Sequence, residues 1–210
     1  QRPWMRLNDP NGEAGLAALA ASKPDLVISL RYGRILQPAA IDIPTWGVLN
    51  LHSGRLPHYR GVMATFRAML AADSLLGSTL HWIEDASIDT GRIVTTRSAP
   101  LDPQRCYLSN VLSLYETGCA ATIDAIQRLS VNQDLESYQA GSGGKYFSFP
   151  SAADLQAFES AGCIWADPVF VATLLQRYQP LADDGASHSL ALIDCSAAGL
   201  SARYCAMLDP

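Results

Sequence analysis

The hydrophobic and polar positions of this chain follow helical and extended patterns in turn. Residues 12–22 are strong helix formers, and residues 25–30 (DLVISL) form a continuous apolar run. Such a run is typical of a strand buried on both faces of a parallel sheet. A second apolar run, residues 47–51 (GVLNL), follows a short segment in which Pro38 favours the start of a helix. The pattern therefore predicts two parallel strands joined through a short helix.

The pattern becomes more polar after the second apolar run. Residues 64–72 favour a helix, and residues 77–84 and 91–100 predict two strands with interleaved polar side chains. We expect these two strands to be neighbours on a more exposed part of the sheet. Between residues 106 and 129, apolar positions recur three, four or seven apart, which predicts one long amphipathic helix.

These elements predict an α/β fold with a doubly wound, mostly parallel sheet. The sheet would occupy residues 1–130, with a helical and loop extension over residues 131–180 that packs on it. Residues 181–210 would form a tail whose role stays open. In the extension, Ser151 followed by Asp154 is close to a capping box and predicts the start of a helix. The opening residues have no strand character, so either the domain begins atypically late or the chain lacks its first strands.

Composition and charge narrow the functional classes. The 210 residues carry a formal net charge of -5 without Lys/Arg clusters, which disfavours nucleic acid as a partner. No apolar run reaches the roughly 18 residues that a transmembrane helix needs. The five cysteines include no CxxC pair, so neither a zinc site nor a disulfide framework is indicated. We expect a cytoplasmic protein without a metal, membrane or nucleic-acid partner, and the sequence indicates no oligomeric state.

Polar side chains end the second predicted strand. Asn50 and His52 are two positions apart and therefore share a face at the carboxyl end, where open α/β sheets bind ligands. The ordinary alternatives are an asparagine that satisfies loop backbone and a packed histidine. Asp89 lies in a loop between two predicted strands, and an aspartate beside a histidine fixes its tautomer. An amide can donate to an oxyanion, so the three side chains together would suit acyl transfer.

The motif NLHSGRLPHYRG at residues 50–61, followed by DTG at residues 89–91, resembles the folate-dependent formyltransferase family. The resemblance implies a Rossmann-like domain that moves a formyl group from N10-formyltetrahydrofolate to a primary amine. It also implies that Asn50 holds the formyl oxygen and that His52 stabilises the developing charge and assists proton transfer. Asp89 would orient His52 and a water molecule.

The same resemblance implies residues that bind the two substrates. Candidate folate contacts lie in the loop after the first predicted strand and in the loop before Asp89; they are Arg34, Ile35, Leu36, Glu84, Asp85 and Ile88. Candidate contacts to the amine lie in the loop after the second predicted strand; they are Gly54, Arg55, Tyr59 and Arg60. Gly54 and Arg55 depart from the usual family pattern. His81, within a predicted strand, is expected to stabilise that strand or the active-site loop.

Three functions stay open at the level of sequence. The first is formyl transfer to a small amine, either a nucleotide-linked amino sugar or an amine derived from an amino acid. The second is a hydrolase of the same fold that releases formate from formyltetrahydrofolate. The third is a non-catalytic folate-binding module, which would have no need for both His52 and Asp89. Transfer-RNA is not expected as the acceptor, because the chain shows no basic C-terminal barrel.

Overall fold

The computed structural model describes residues 7–141, 143–178, 192–193 and 204–205. Its helices are α1 (Glu13–Ser22), α2 (Pro38–Ile41), α3 (Ala64–Leu70), α4 (Tyr107–Ser130), α5 (Ala152–Ser160) and α6 (Pro168–Tyr178). Its strands are β1 (Val27–Leu30), β2 (Val48–His52), β3 (Tyr59–Gly61), β4 (Leu75–Ile83), β5 (Ile93–Pro100), β6 (Lys145–Phe147), β7 (Leu192–Ile193) and β8 (Tyr204–Cys205). In the described part of the chain, no helix is long and apolar enough to cross a membrane.

The chain divides into two compact units. Leu7–Trp165 form the larger unit, and the described residues from Ala166 onward belong to the other. In the smaller unit the described residues include α6 and the antiparallel pair of β7 and β8. Most of the predicted tail, residues 181–210, lies outside the described residues. The candidate site lies entirely within the larger unit.

A four-stranded sheet in the order β1, β2, β4, β5 forms the centre of the larger unit. Strands β1 and β2 are parallel as predicted, with Val27 opposite Val48. Strand β4 runs antiparallel to β2, and β5 runs antiparallel to β4. Three strands therefore share one direction and β4 opposes them, which makes the sheet mixed. The sequence pattern predicted β4 and β5 as strands but did not give their directions.

Helices cover both faces of the sheet, as the doubly wound prediction requires. Val48 packs with Leu36 of the loop after β1 and with Ala40 and Ile41 of α2. The next residue, Leu49, packs on the opposite face in a cluster that includes Ala125 of α4. Successive side chains of a strand point to opposite faces, so one apolar run supplies both layers of the core. Full burial of each such side chain contributes roughly 1.5 to 3 kcal/mol.

Two short strands were not predicted. β3 and β6 pair in parallel, with Arg60 opposite Tyr146 and Gly61 opposite Phe147. β6 lies in the glycine-rich stretch that the sequence indicates only as a break. Three residues are too few to show a periodicity, and the two partners are far apart along the chain. This pairing attaches the extension to the loop that follows β2.

The predicted capping box is present at the start of α5. Asp154 N donates to Ser151 Oγ at 3.2 Å, and Ser151 N donates to Asp154 Oδ2 at 2.9 Å. Phe158 of α5 is fully buried and packs with Phe66 of α3 and with Trp165. The larger compact unit, Leu7–Trp165, thus includes part of the predicted extension, and the domain boundary at residue 130 stays a prediction.

Candidate active site

The site is built on the carboxyl end of β2 and the strand beside it. Asn50 lies opposite His81 of β4, and His52 lies opposite Thr79. Residues directly opposite each other in a sheet project from the same face. Leu49 and Leu51 pack on the other face. The sequence prediction that Asn50 and His52 share one face is confirmed.

Asp89 joins this group from the loop between β4 and β5. Its Oδ2 lies 3.4 Å from His52 Nδ1, and its Oδ1 lies 3.4 Å from His81 Nε2. Asn50 Nδ2 lies 3.5 Å from Asp89 Oδ1. Asp89 adopts a φ of +54°, in the left-handed region that costs a non-glycine residue free energy. The structure thus brings Asn50, His52 and Asp89 into contact, and adds His81.

The Asp89 carboxylate is stabilised in its charged form. Its side chain is only 9% exposed, and burial alone would raise its pKa. The contact with His81, the charge that His52 carries when it is protonated, and the hydrogen bond that Gly61 N donates at 2.7 Å together outweigh burial and hold the pKa below its usual value. Asp89 is therefore an anion at neutral pH. Gly61 has a φ of +92°, and a Cβ there would overlap the carbonyl oxygen of Phe147.

His52 is buried with an acceptor beside each ring nitrogen. Nε2 lies 2.6 Å from the carbonyl oxygen of Tyr59, and Nδ1 faces Asp89. Burial lowers the pKa of His52, and the charge of Asp89 and the contact with Tyr59 oppose this shift only in part. The ring is therefore neutral near pH 7 and has one nitrogen free to accept a proton. A proton accepted there would let both nitrogens donate hydrogen bonds.

Thr79 fixes the loop that follows β2. Its hydroxyl donates to Gly54 O at 2.7 Å and accepts from Leu56 N at 3.2 Å. Gly54 lies so close to His52 Nε2 and to Tyr59 O that a Cβ would collide with the imidazole. The absence of a side chain at Gly54 therefore allows the contact between His52 and Tyr59. Its predicted role towards the amine stays a prediction beside this packing role.

The side chains of Arg55 and Tyr59 are both bound to Asp73. Arg55 Nη2 donates to Asp73 Oδ2 at 3.1 Å, and the Tyr59 hydroxyl donates to the same oxygen at 2.8 Å. Burial, and then the hydrogen bond to Asp73, raise the pKa of Tyr59 to about 12. Asp73 thus anchors both side chains, and their predicted contact with the amine stays a prediction.

A cleft of about 380 Å³ borders Asp89. Its walls come from β3 and the loop before it, from the loop between β4 and β5 and from the segment before β6; they are Pro57, Arg60, Asp89, Thr90, Gln139, Ala140, Gly141 and Gly144. Arg60 Nε is buried without a hydrogen-bond partner. Among the four residues predicted to contact the amine, Arg60 is the one that lines this cleft.

The predicted folate contacts lie in two loops with different surroundings. Arg34 and Ile35 are exposed after β1, whereas the Leu36 side chain is buried in the core. The loop backbone is held by a residue that the sequence did not indicate. Asn11 Nδ2 donates to Ile35 O at 2.9 Å, and Gln37 N donates to Asn11 Oδ1 at 2.8 Å.

The second loop precedes Asp89. Glu84 Oε1 accepts from Arg92 Nε at 2.8 Å, so that carboxylate already has a partner. Asp85 Oδ1 accepts from Ser87 N at 2.7 Å within the loop, and Ile88 is partly exposed. The roles of these residues towards folate stay predictions. Among the described residues, no group of three or more His, Cys, Asp or Glu side chains is arranged to hold a metal ion.

The sequence predicts that His81 stabilises its strand or the active-site loop, but not that His81 lies opposite Asn50. His81 is 2% exposed, and its Nε2 lies 3.0 Å from Asn50 Nδ2. The sequence places His81 in a strand, but only the register between β2 and β4 places it opposite Asn50. Asn50, His52, Asp89 and His81 together provide an amide, two imidazoles and a carboxylate in one buried network.

Comparisons with known proteins agree with this geometry. Residues 8–110 match the model of the formyl transferase family. Methionyl-tRNA formyltransferase of Aromatoleum aromaticum is 32% identical over 135 residues, which are 64% of this chain and 42% of that protein. Methionyl-tRNA formyltransferase of Pseudomonas fluorescens Pf-5 is 39% identical over 130 residues, which are 62% of this chain and 39% of that protein. The chain thus spans about two fifths of the length of these two relatives.

A solved structure shows a similar fold. It is the N-formyltransferase from Helicobacter canadensis, solved with folinic acid and dTDP-3-aminofucose, and it is 28% identical. The match covers 58% of this chain and 44% of that chain, with a TM-score of 0.53. The similarity confirms the predicted Rossmann-like α/β fold class.

Proposed function

We propose that this chain, whose residues 8–110 match the model of the formyl transferase family, transfers a formyl group from N10-formyltetrahydrofolate to a primary amine. The observation that carries the proposal is the contact of one buried carboxylate, Asp89, with both His52 and Asn50 at the carboxyl end of β2. An amide donor, a base and an orienting anion are the groups that acyl transfer to an amine needs.

Asn50 provides a hydrogen-bond donor for the formyl oxygen. When an amine attacks the formyl carbon, negative charge develops on that oxygen, and an N–H already in place stabilises the charge. Asn50 is partly buried among His81 and Asp89, which restricts its motion. The amide is therefore arranged before the substrate arrives, and no reorganisation is needed during the reaction.

His52 provides the base that removes a proton from the attacking amine. Burial lowers its pKa, so the ring is neutral near pH 7 and can accept the proton. The imidazolium that forms is stabilised by Asp89 at 3.4 Å and by the carbonyl oxygen of Tyr59 at 2.6 Å. As the bond between the formyl carbon and N10 breaks, the imidazolium returns the proton to N10, so that tetrahydrofolate leaves as a neutral amine. Asp89 stays ionised because its own pKa is lowered.

The residues around the site fit a formyl-folate as co-substrate. N10-formyltetrahydrofolate would supply the activated formyl group. The exposed loop after β1 and the loop before Asp89 are the surfaces proposed to bind the pterin, through backbone groups and through Arg34, Ile35 and Ile88. The solved structure from Helicobacter canadensis contains folinic acid, a folate derivative, which supports this co-substrate.

The cleft beside Asp89 is the proposed entrance for the amine. The similar proteins differ in what their names state: the curated relatives are methionyl-tRNA formyltransferases, and the solved structure contains dTDP-3-aminofucose. The expectation from the sequence that tRNA is not the acceptor has no support in these comparisons. A nucleotide-linked amino sugar remains the first acceptor to test, with methionyl-tRNA as the second.

The test is formyl transfer by the full-length protein and by three single variants. Asn50→Ala, His52→Ala and Asp89→Ala should each reduce transfer by about a hundredfold or more, the scale of a lost oxyanion donor or acid/base group. His58→Ala is the control, because His58 is an exposed side chain of the neighbouring loop. Near wild-type turnover by His52→Ala would overturn the proposal.

A second measurement separates transfer from hydrolysis. The protein is incubated with N10-formyltetrahydrofolate alone, and the formate released is measured. We expect formate to be released slowly when no amine is present. Addition of amino sugars, diamines or methionyl-tRNA should then yield formylated product. Fast release of formate without an amine would identify a hydrolase, and binding without either product would identify a folate-binding module.

A further inference from the structure

His81 lies at the centre of the buried network, although acyl transfer as described above does not use it. Its ring is 2% exposed, and its Nε2 lies 3.0 Å from Asn50 Nδ2 and 3.4 Å from Asp89 Oδ1. His52, on the other side of Asp89, is the further titratable group near it. A histidine that only filled space in β4 would not need to direct a ring nitrogen at two polar groups.

The other ring nitrogen of His81 identifies the tautomer. Nδ1 lies 2.9 Å from the carbonyl oxygen of Trp82, which can only accept a hydrogen bond. Nδ1 therefore carries a hydrogen, and when the ring is neutral Nε2 carries a lone pair. The partner of one imidazole nitrogen commonly determines the state of the other in this way.

The lone pair on Nε2 determines how the Asn50 amide is oriented. Nε2 can accept a hydrogen bond from the Asn50 NH₂ group but would repel the Asn50 carbonyl oxygen. One amide hydrogen is then held by His81 at 3.0 Å. The second is near Asp89 Oδ1 at 3.5 Å, the outer limit of a hydrogen bond, and is held only loosely.

A protonated His81 would reverse this arrangement. Its Nε2–H would donate to Asp89 Oδ1, now 3.4 Å away, and would oppose the Asn50 NH₂ group. The amide would have to turn its oxygen towards His81, which would withdraw the N–H from the reaction. Asn50 has no other described side-chain hydrogen bond that would restore its orientation.

We propose that His81 is a positioning residue: its neutral Nδ1–H ring holds one amide hydrogen of Asn50 and leaves the second free for the formyl oxygen. The inference rests on the proposed function for its catalytic consequence, whereas the hydrogen-bond arrangement itself is independent of it. His81 contacts neither substrate in this arrangement and acts through Asn50.

The first experiment needs no catalytic activity. ¹⁵N NMR of the histidine rings in the full-length protein, assigned with His81→Gln and His58→Gln, reports which nitrogen of His81 carries the hydrogen. We expect the hydrogen on Nδ1 and a lone pair on Nε2. Protonation of Nε2 would overturn the inference even if formyl transfer is observed.

The second experiment measures kcat and KM separately. His81→Phe keeps an aromatic ring but has no acceptor, so kcat should fall about tenfold to a hundredfold with little change in KM, a fraction of the effect of losing an oxyanion donor. His81→Gln, whose amide oxygen can accept from Asn50, should recover part of kcat. His58→Gln is the matched control on an exposed histidine.

The outcomes distinguish this inference from the proposed function. Full kcat in a folded His81→Phe variant would overturn the positioning role and leave formyl transfer intact. A wild-type protein without formyl transfer would overturn the proposed function, and the NMR result would still decide the hydrogen-bond arrangement. Equal loss of kcat in His81→Phe and His81→Gln, with unchanged thermal unfolding, would also contradict the inference.

Discussion

The backbone N–H of Gly61 donates to Asp89 Oδ2 at 2.7 Å, so β3 and the loop after β4 meet at one carboxylate. This bond depends on a backbone that only glycine adopts readily, because Gly61 has a φ of +92°. The pairing of β3 with β6 brings the Phe147 carbonyl close to the same residue. The position of the proposed catalytic aspartate is therefore coupled to a strand from the distant extension.

Gly61→Ala should reduce both stability and activity. A Cβ would overlap the Phe147 carbonyl oxygen at a φ that disfavours alanine, which should cost about 1 to 3 kcal/mol of unfolding free energy. Urea denaturation measures this cost. Gly33→Ala is the control, because a Cβ there meets no heavy atom within 4 Å. Equal effects of the two substitutions would contradict the coupling.

The value of kcat/KM for formyl transfer should fall on the acid side only below pH 6.5. Burial lowers the pKa of His52 from its ordinary value of 6.5, and transfer needs the neutral ring. Activity should therefore persist as the pH falls to 6.5 and be lost only at lower pH, which a profile of kcat/KM measures. A fall centred at or above pH 6.5 would show that His52 is not the base.

Stability should depend on pH through the same group. The unfolded chain binds a proton on His52 near pH 6.5, whereas the folded chain binds it only at lower pH, so the unfolding free energy should fall as the pH drops below 6.5. In His52→Gln this part of the pH dependence should be absent, which urea titrations at a series of pH values would measure. An unchanged slope in the variant would assign the dependence to other groups.

Asp73→Ala should loosen Arg55 and Tyr59. Both side chains lose their shared acceptor, which should lower the unfolding free energy by about 1 kcal/mol. The pKa of Tyr59 should fall from about 12 towards 10. Ultraviolet titration, with Tyr59→Phe to identify the signal, measures the pKa. Asp124→Ala, an exposed position of α4, is the control. An unchanged Tyr59 pKa would contradict the described bonding.

Phe158→Ala should destabilise the whole larger unit. Phe158 is fully buried against Phe66 and Trp165, and loss of a buried phenylalanine costs roughly 3 to 5 kcal/mol. Phe149→Ala is the matched control, because that side chain is 76% exposed. We expect the variant to unfold in one cooperative transition, at a lower urea concentration than the unsubstituted protein. A separate early transition of residues 131–165 would instead support the boundary at residue 130.

Several features of the fold follow from the sequence because they depend on neighbouring residues. The apolar runs of β1 and β2, the helical periodicity of α4 and the capping box before α5 are all local patterns, and the structure contains each of them. The shared face of Asn50 and His52 follows from the two-residue period of a strand. The resemblance of residues 50–61 to formyltransferases is likewise a property of consecutive residues.

Other features depend on contacts between distant segments, which no local pattern specifies. The direction of β4, the pairing of β3 with β6 and the bonding of Arg55 to Asp73 all belong to this group. The position of His81 opposite Asn50 is the clearest case, because it depends on the register of two strands separated along the chain by β3 and α3. The sequence by itself determined the candidate residues for the chemistry. The tertiary structure decided which of them share hydrogen bonds, because register and loop packing are set by the folded chain as a whole.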